Sequence, residues 1–209
     1  MPYRPARLML LRGYLNILIW RLPLPARVLA RLSATVYRNP SFPAGLVREV
    51  AQQLEAAGVE YWISGGWGID ALLGEQSRTH DDLDLVVVGA ARAESALSGL
   101  GFSLWYRSRS DALLGTRTVF RDHPVAGHAI DLHPIDYAQD QLSFSAGMID
   151  GKSVPCLHVD AQIALHSGYR NANYLKRRRD RADAALLQRI AEHGDRDGRG
   201  TPAEDGRAQ

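Results

Sequence analysis

The sequence predicts an α+β domain, a mixed β-sheet flanked by helices. Three observations carry this. Short β-rich segments crowd together between residues 102 and 135 with connections too brief to hold helices. Helical periodicity brackets them, from Leu46 to Ala57 on one side and from Tyr174 to Ala191 on the other. The composition, 45% hydrophobic and 23% charged over 209 residues, is that of a globular chain able to bury a core, and it excludes wholesale disorder and a fibrous repeat. The single cysteine, Cys156, excludes an internal disulfide and a thiolate-rich zinc site, and the seven histidines include no HExxH pairing.

The net charge of +2 conceals a split. Residues 1–40 hold seven arginines and no acid, whereas the remainder holds 18 basic and 23 acidic side chains. From Leu8 to Leu22 the chain is apolar, interrupted by Arg12 and Asn16 and closed by Pro23 and Pro25. A membrane-crossing helix needs about 20 apolar residues. This run is shorter, and Arg12 inside it also spoils a secretory signal, while an organellar targeting segment remains compatible with the acid-free composition. Ala26 to Arg38 reads as a basic amphipathic helix, with Arg27, Arg31, Thr35 and Arg38 on one stripe and Val28, Leu29, Leu32 and Val36 opposite. Two readings stand for residues 8–38: peripheral contact with an anionic membrane, or packing of the apolar faces on the domain or on a second subunit. The expected location is cytoplasmic, either free or at the inner face of the membrane.

Asn39-Pro40-Ser41-Phe42-Pro43 is a turn-rich linker, and the helix from Leu46 to Ala57 stops at Gly58. Glu60 to Ser64 is a strand, broken by Gly65-Gly66, with a short helix from Trp67 to Leu73 ending at Gly74. Asp82 to Val88 is a second strand whose Val86-Val87-Val88 tail suits a buried central position. Ala90 to Leu100 is helical; Phe102 to Arg107, Thr116 to Asp122, His128 to Ile135 and Lys152 to Cys156 are strands. Asp160 to Gly168 and Tyr174 to Ala191 are helices. The organisation expected is an arm at 1–40, one domain at 41–193 and a disordered, Gly- and charge-rich tail at 194–209.

The chemistry concentrates in Ser64-Gly65-Gly66-Trp67 and in His80-Asp81-Asp82-Leu83-Asp84-Leu85. Side chains alternate along a strand, so Asp82 and Asp84 share a face with Cα atoms roughly 6.5–7 Å apart. Paired carboxylates beside an apolar valine run call for a compensating cation, and Mg²⁺ prefers such oxygens while keeping sites for substrate phosphates. A strand entering Gly-Gly and then a helix leaves backbone N–H groups free for an anion that glycine lets come close. Either feature alone is common on solvated loops. The spacing joins them, with 15 residues between Gly66 and Asp82.

These motifs resemble those of the nucleotidyltransferase superfamily with the DNA polymerase β-type palm. The chain is most similar to the subgroup of aminoglycoside 2″-adenylyltransferases and lincosamide nucleotidyltransferases. The resemblance rests on Gly65-Gly66-Trp67, Leu73-Gly74, Arg78, His80, Asp82-Leu83-Asp84 and His128-Ala129-Ile130-Asp131-Leu132-His133. It continues through Ala161-Gln162, His166-Ser167-Gly168-Tyr169 and Asp180-Arg181-Ala182-Asp183, about residues 44–191. It implies a palm-type sheet and a metal-dependent transfer of a nucleoside monophosphate from an NTP, ATP being expected, to an acceptor hydroxyl with release of pyrophosphate. Asp82 and Asp84 would bind metal, two Mg²⁺ ions being expected. Asp131 would be the third carboxylate, as general base or metal ligand, the base role being favoured; otherwise it caps a turn or pairs with Arg117 or Arg121. The implied acceptor is a small molecule such as an aminoglycoside-like compound. Transfer to protein or tRNA, and a non-catalytic membrane-associated nucleotide-binding module, are the competing readings.

Other residues allow two readings each. Ser64, Arg78 and His80 either contact the triphosphate or serve structure, Ser64 as a helix cap and the other two in a surface loop. Trp67 and Asp70 are read as structural, Cys156 as a buried strand residue and His133 as a satisfied polar residue. His166 and Tyr169 either pack or line the acceptor cleft. The run Lys176-Arg177-Arg178-Arg179 is read first as a solvated face and second as a phosphate or nucleic-acid contact; it lacks interleaved aromatics and is partly neutralised by Asp180 and Asp183, so nucleic acid is not the expected partner.

Overall fold

The computed structural model describes residues 4–109, 116–135, 142–168 and 178–197. The arm forms α1 (Arg7–Ile19) and α2 (Ala26–Val36). The domain then runs α3 (Ala44–Ala56), β1 (Glu60–Ser64), α4 (Gly65–Leu73), β2 (Asp82–Val88), α5 (Ala90–Gly99), β3 (Ser103–Arg109), β4 (Thr116–Arg121) and β5 (Ala129–Pro134). It closes with β6 (Phe144–Ile149), β7 (Lys152–Leu157), α6 (Val159–Gly168) and α7 (Arg178–Asp197). The strands form one mixed sheet in the order β3-β4-β5-β2-β1-β7-β6. β2 runs parallel to β5 and β1 parallel to β7, and the other neighbours are antiparallel.

Strand alternation divides β2 between two environments. Leu83, Leu85 and Val87 join Val47, Val50 and Leu54 of α3 and Ala93, Ala96 and Leu97 of α5 in the main core. Val86 points the other way and packs with Ile135, Leu157 and, from α6, Ala161 and Leu165. With both faces covered, β2 is central, as its valine run predicts. Asp82 and Asp84 open this strand on the Val86 side, and both are half-buried.

Three boundaries differ from the sequence reading. α4 begins at Gly65, directly after β1, and not at Trp67. α7 runs from Arg178 to Asp197, so the helix extends past Gly194 into the segment expected to be a tail. β6 was not expected. Its Phe-Ser-Ala-Gly-Met-Ile has weak β-propensity, but Asp150-Gly151, with φ of 51° and 73°, makes the tight turn that joins it to β7. Gly147 within β6 is required by close packing, since a Cβ there would lie 2.5 Å from the Ala71 carbonyl oxygen of α4. Tyr169, Lys176, Arg177 and residues 198–209 lie outside the described residues.

Cys156 of β7 is fully buried, and burial pushes its thiol up to about 11. Unfolding returns it to the ordinary value of 9.0, so between these limits the unfolded chain gains a charge that the folded chain refuses. Stability therefore falls as pH rises through this window. Ellman's reagent at pH 8 is expected to leave the folded protein unlabelled and to titrate one thiol after urea unfolding, and Cys156→Ala should flatten the alkaline loss of stability.

Candidate active site

The parallel register of β2 and β5 sets Asp84 opposite Asp131, and the antiparallel register of β1 sets Ser64 opposite Asp84. Register partners on adjacent strands share a face, so Ser64, Asp84 and Asp131 form one row, with Asp82 two residues away on the same face. Asp82, Asp84 and Asp131 therefore lie on one face of the sheet. β4 continues it. Val119 pairs with Asp131, and Arg117, two residues earlier on the same face, donates from Nε to Asp131 Oδ2 at 2.8 Å and from Nη2 to the same oxygen.

Two acids side by side need nearby positive charge. His133 Nε2 lies 3.8 Å from Asp84 Oδ1. Burial would raise the Asp84 carboxyl, but His133, with Arg117 and His166, more than offsets it and holds the group below the usual carboxylate range. Asp131 goes the other way. Burial and the charge of Asp84 raise it, and Arg117 only partly opposes them. Burial also works against the Arg117 cation, yet Asp131, Tyr106 and Asp84 hold it above its ordinary value. The environment thus separates the pair into one carboxylate kept ionised and one with raised proton affinity, the arrangement suited to a ligand and a base.

Among the described residues no three His, Cys, Asp or Glu side chains lie close enough to hold a metal ion together. Arg117 holds Asp131 Oδ2. The donors nevertheless fit a hard divalent cation. Asp82 and Asp84 share a face, Asp131 Oδ1 is buried without a hydrogen-bond partner, and Mg²⁺ is ordinarily held by one or two carboxylates plus substrate phosphates.

The Gly65-Gly66 turn is shaped by the protein's own side chains. Gly65 has φ of +59°, and a Cβ there would lie 2.1 Å from Asp84 Oδ2. At Gly66 a Cβ would lie 2.3 Å from His80 Nδ1 and 2.8 Å from Arg78 Nη2. His80 is buried, its Nε2 lies 2.5 Å from Asp70 Oδ2, and its ring centroid is 4.7 Å from that of Trp67. Ser77 donates to the other Asp70 oxygen at 2.5 Å. Arg78 donates from Nε and Nη2 to Asp183 of α7, at 3.1 and 2.7 Å, with 27% of its side chain exposed. The segment between α4 and β2 is thereby tied to both α4 and α7. Ser64 makes no side-chain cap to α4.

Sequence reasoning named Arg117 and Arg121 as possible partners of Asp131 but missed that both lie on β4 beside the aromatic rings of β3. Arg117 lies 5.9 Å from the Tyr106 ring centroid and Arg121 3.8 Å from that of Trp105, and Arg121 also donates to Asn39 at 3.0 Å. The alternation Arg117-Thr118-Val119-Phe120-Arg121, with both arginines in phase with Val119, was the available signal.

A sheet of this topology, with paired acids opening a central strand beside a strand–glycine–helix turn, is of the nucleotidyltransferase class. The chain belongs to the aminoglycoside-2''-adenylyltransferase family, whose model matches residues 46–187. It is 28% identical over 132 residues to a lincosamide resistance protein of Staphylococcus haemolyticus, covering 53% of this chain and 76% of that protein. A 2''-aminoglycoside nucleotidyltransferase of Klebsiella pneumoniae is 41% identical over 49 residues, covering 23% of this chain and 28% of that one. Among solved structures, the lincomycin-bound lincosamide adenylyltransferase LnuA matches with a TM-score of 0.57 and 22% identity, over 72% of this chain and 99% of that one. ANT(2")-Ia with adenylyl-2"-tobramycin matches with a TM-score of 0.59 and 23% identity, over 74% and 92%.

Removing Asp70 leaves the buried His80 without its partner, a loss of about 1–3 kcal/mol for an unsatisfied buried group. Urea unfolding of Asp70→Ala should show a midpoint lowered accordingly. Because the two side chains act together, His80→Ala should cost less in that background than in the native protein.

Proposed function

We propose that this protein transfers a nucleoside monophosphate from an NTP, ATP being the expected donor, to a hydroxyl of a small antibiotic-like molecule. The register that sets Asp84 beside Asp131 carries this reading, together with the family to which the chain belongs. Asp82 and Asp84 are the assigned metal ligands. A divalent ion held there, Mg²⁺ by its oxygen donors, would neutralise charge on the triphosphate and on the departing pyrophosphate, and a second ion is expected beside it.

Asp131 is assigned as the base. Its Oδ2 is held by Arg117, which leaves the unpartnered Oδ1 to take the acceptor's proton. The acceptor oxygen then forms a bond to the α-phosphorus, and the bond from that phosphorus to the bridging oxygen breaks in line, its electron pair leaving with pyrophosphate. The triphosphate is assigned to the turn at Ser64, Gly65 and Gly66. There Arg78, partly exposed, is the cation able to meet an anion, and His80, buried on Asp70, fixes the turn's shape. The lincosamide and aminoglycoside named for the relatives make these two antibiotic classes the first acceptors to try.

Pyrophosphate release measured with Mg²⁺, each NTP and a panel of lincosamides, aminoglycosides, tRNA and protein tests the assignment. Release that depends on a small acceptor is expected. Label appearing only on tRNA or protein, or binding of nucleotide without release, would overturn it. Asp82→Ala and Asp84→Ala should abolish turnover with the fold intact. Asp131→Asn should keep nucleotide binding while lowering the rate by about 10²–10⁴-fold, the usual worth of a general base.

A further inference from the structure

The arm presents an apolar surface that no described residue covers. α1 is apolar around most of its circumference, a property of helices enclosed on all sides. Its inner side is enclosed. Gly13 meets the domain so closely that a Cβ would lie 2.2 Å from the Val125 carbonyl oxygen, and Ser33 of α2 donates to Asn16 at 2.5 Å. Its outer side is not. Leu8, Leu11, Leu15 and Leu18 follow three- and four-residue spacing along one stripe, each between 45% and 65% exposed, and Leu22, in the turn beyond the helix, is exposed as well. Trp20, 49% exposed, ends the helix, and α2 adds Val28 and Leu32.

Charge selects the occupant. By helical spacing Arg7 and Arg12 flank the leucine stripe, and both are exposed, as are Arg4, Arg21, Arg31 and Arg38. Residues 1–40 contain no acid to neutralise them. A second copy seated on this face would bring two such arms together, cation against cation. An anionic lipid surface accepts both components, leucines into the acyl boundary and arginines onto the headgroups, with tryptophan at the junction. At 1.5 Å per residue α1 is about 20 Å long, and no described helix is long and apolar enough to cross a membrane. The geometry points to an in-plane membrane-docking surface on α1 and α2, specific for anionic bilayers.

The full-length protein is to be sedimented with large vesicles of phosphatidylglycerol and phosphatidylcholine (1:1), or of phosphatidylcholine alone, at 0.1 and 0.5 M NaCl. Partitioning at least tenfold stronger onto the anionic vesicles is expected at the lower salt, weakening at the higher. The double variant Leu11→Asp, Leu18→Asp, which changes only exposed positions, should lose that binding at least tenfold with its melting temperature within a few degrees of the parent. Absence of binding, equal binding to both vesicles at both salts, or undiminished binding of the variant would overturn the proposal. So would a dimer in light scattering that the same variant dissociates, since a second copy would then be the cover.

Discussion

Two carboxylates face each other across adjacent strands, and much of the surrounding structure is arranged around their repulsion. Like charges directly opposite weaken a sheet. Here the pairing is held from behind, because the same register places Leu83 beside Ile130 and Leu85 beside Leu132, all almost wholly buried. A slip of one residue in either strand would turn its acid into that core, so the hydrophobic face fixes the charged one. In front, Arg117 of β4 supplies compensating charge to Asp131, and His133 of β5 faces Asp84 at 3.8 Å. That compensation is unequal, and the inequality gives the two acids different proton affinities at nearly the same place.

The glycines follow from the same crowding. Gly65 makes room for Asp84, Gly66 for His80 and Arg78, and at Gly68 a Cβ would meet Gln162 Nε2 at 2.1 Å and the Ile63 carbonyl oxygen at 2.8 Å. A Gly-Gly-Trp-Gly sequence after a strand is thus explained by close internal packing, whatever anion later approaches the turn. The Asp70 carboxylate, holding Ser77 and His80 together, keeps the following segment folded back over that turn.

Most of this architecture was legible in the chain. β2 announced itself through alternation at its start and a valine run at its end, and each helix that position requires was visible through apolar periodicity. That Asp131 neighbours Asp84 was implied by the family resemblance, and the parallel register of β2 and β5 is what sets the two side by side. What stayed hidden depends on partners distant in sequence. Nothing near Arg78 indicates that its guanidinium meets Asp183, 105 residues later. Arg117 was named as one alternative for Asp131, but the loop between β4 and β5 gave no means of choosing the register that joins them. β6 escaped because serine, alanine and glycine dominate its middle, although the Asp-Gly turn beyond it was there to be read.

The link from Arg78 to Asp183 gives the order of synthesis a physical meaning. The sheet, the paired acids and the glycine turn all precede α7 in the chain, so a nascent polypeptide can assemble them while that guanidinium still has no carboxylate to grip. The last helix then acts as a clasp on work already done. Contacts of such long separation form late because the intervening chain must first be closed into a loop, which makes the grip of Arg78 on Asp183 one of the final events in this protein's biogenesis.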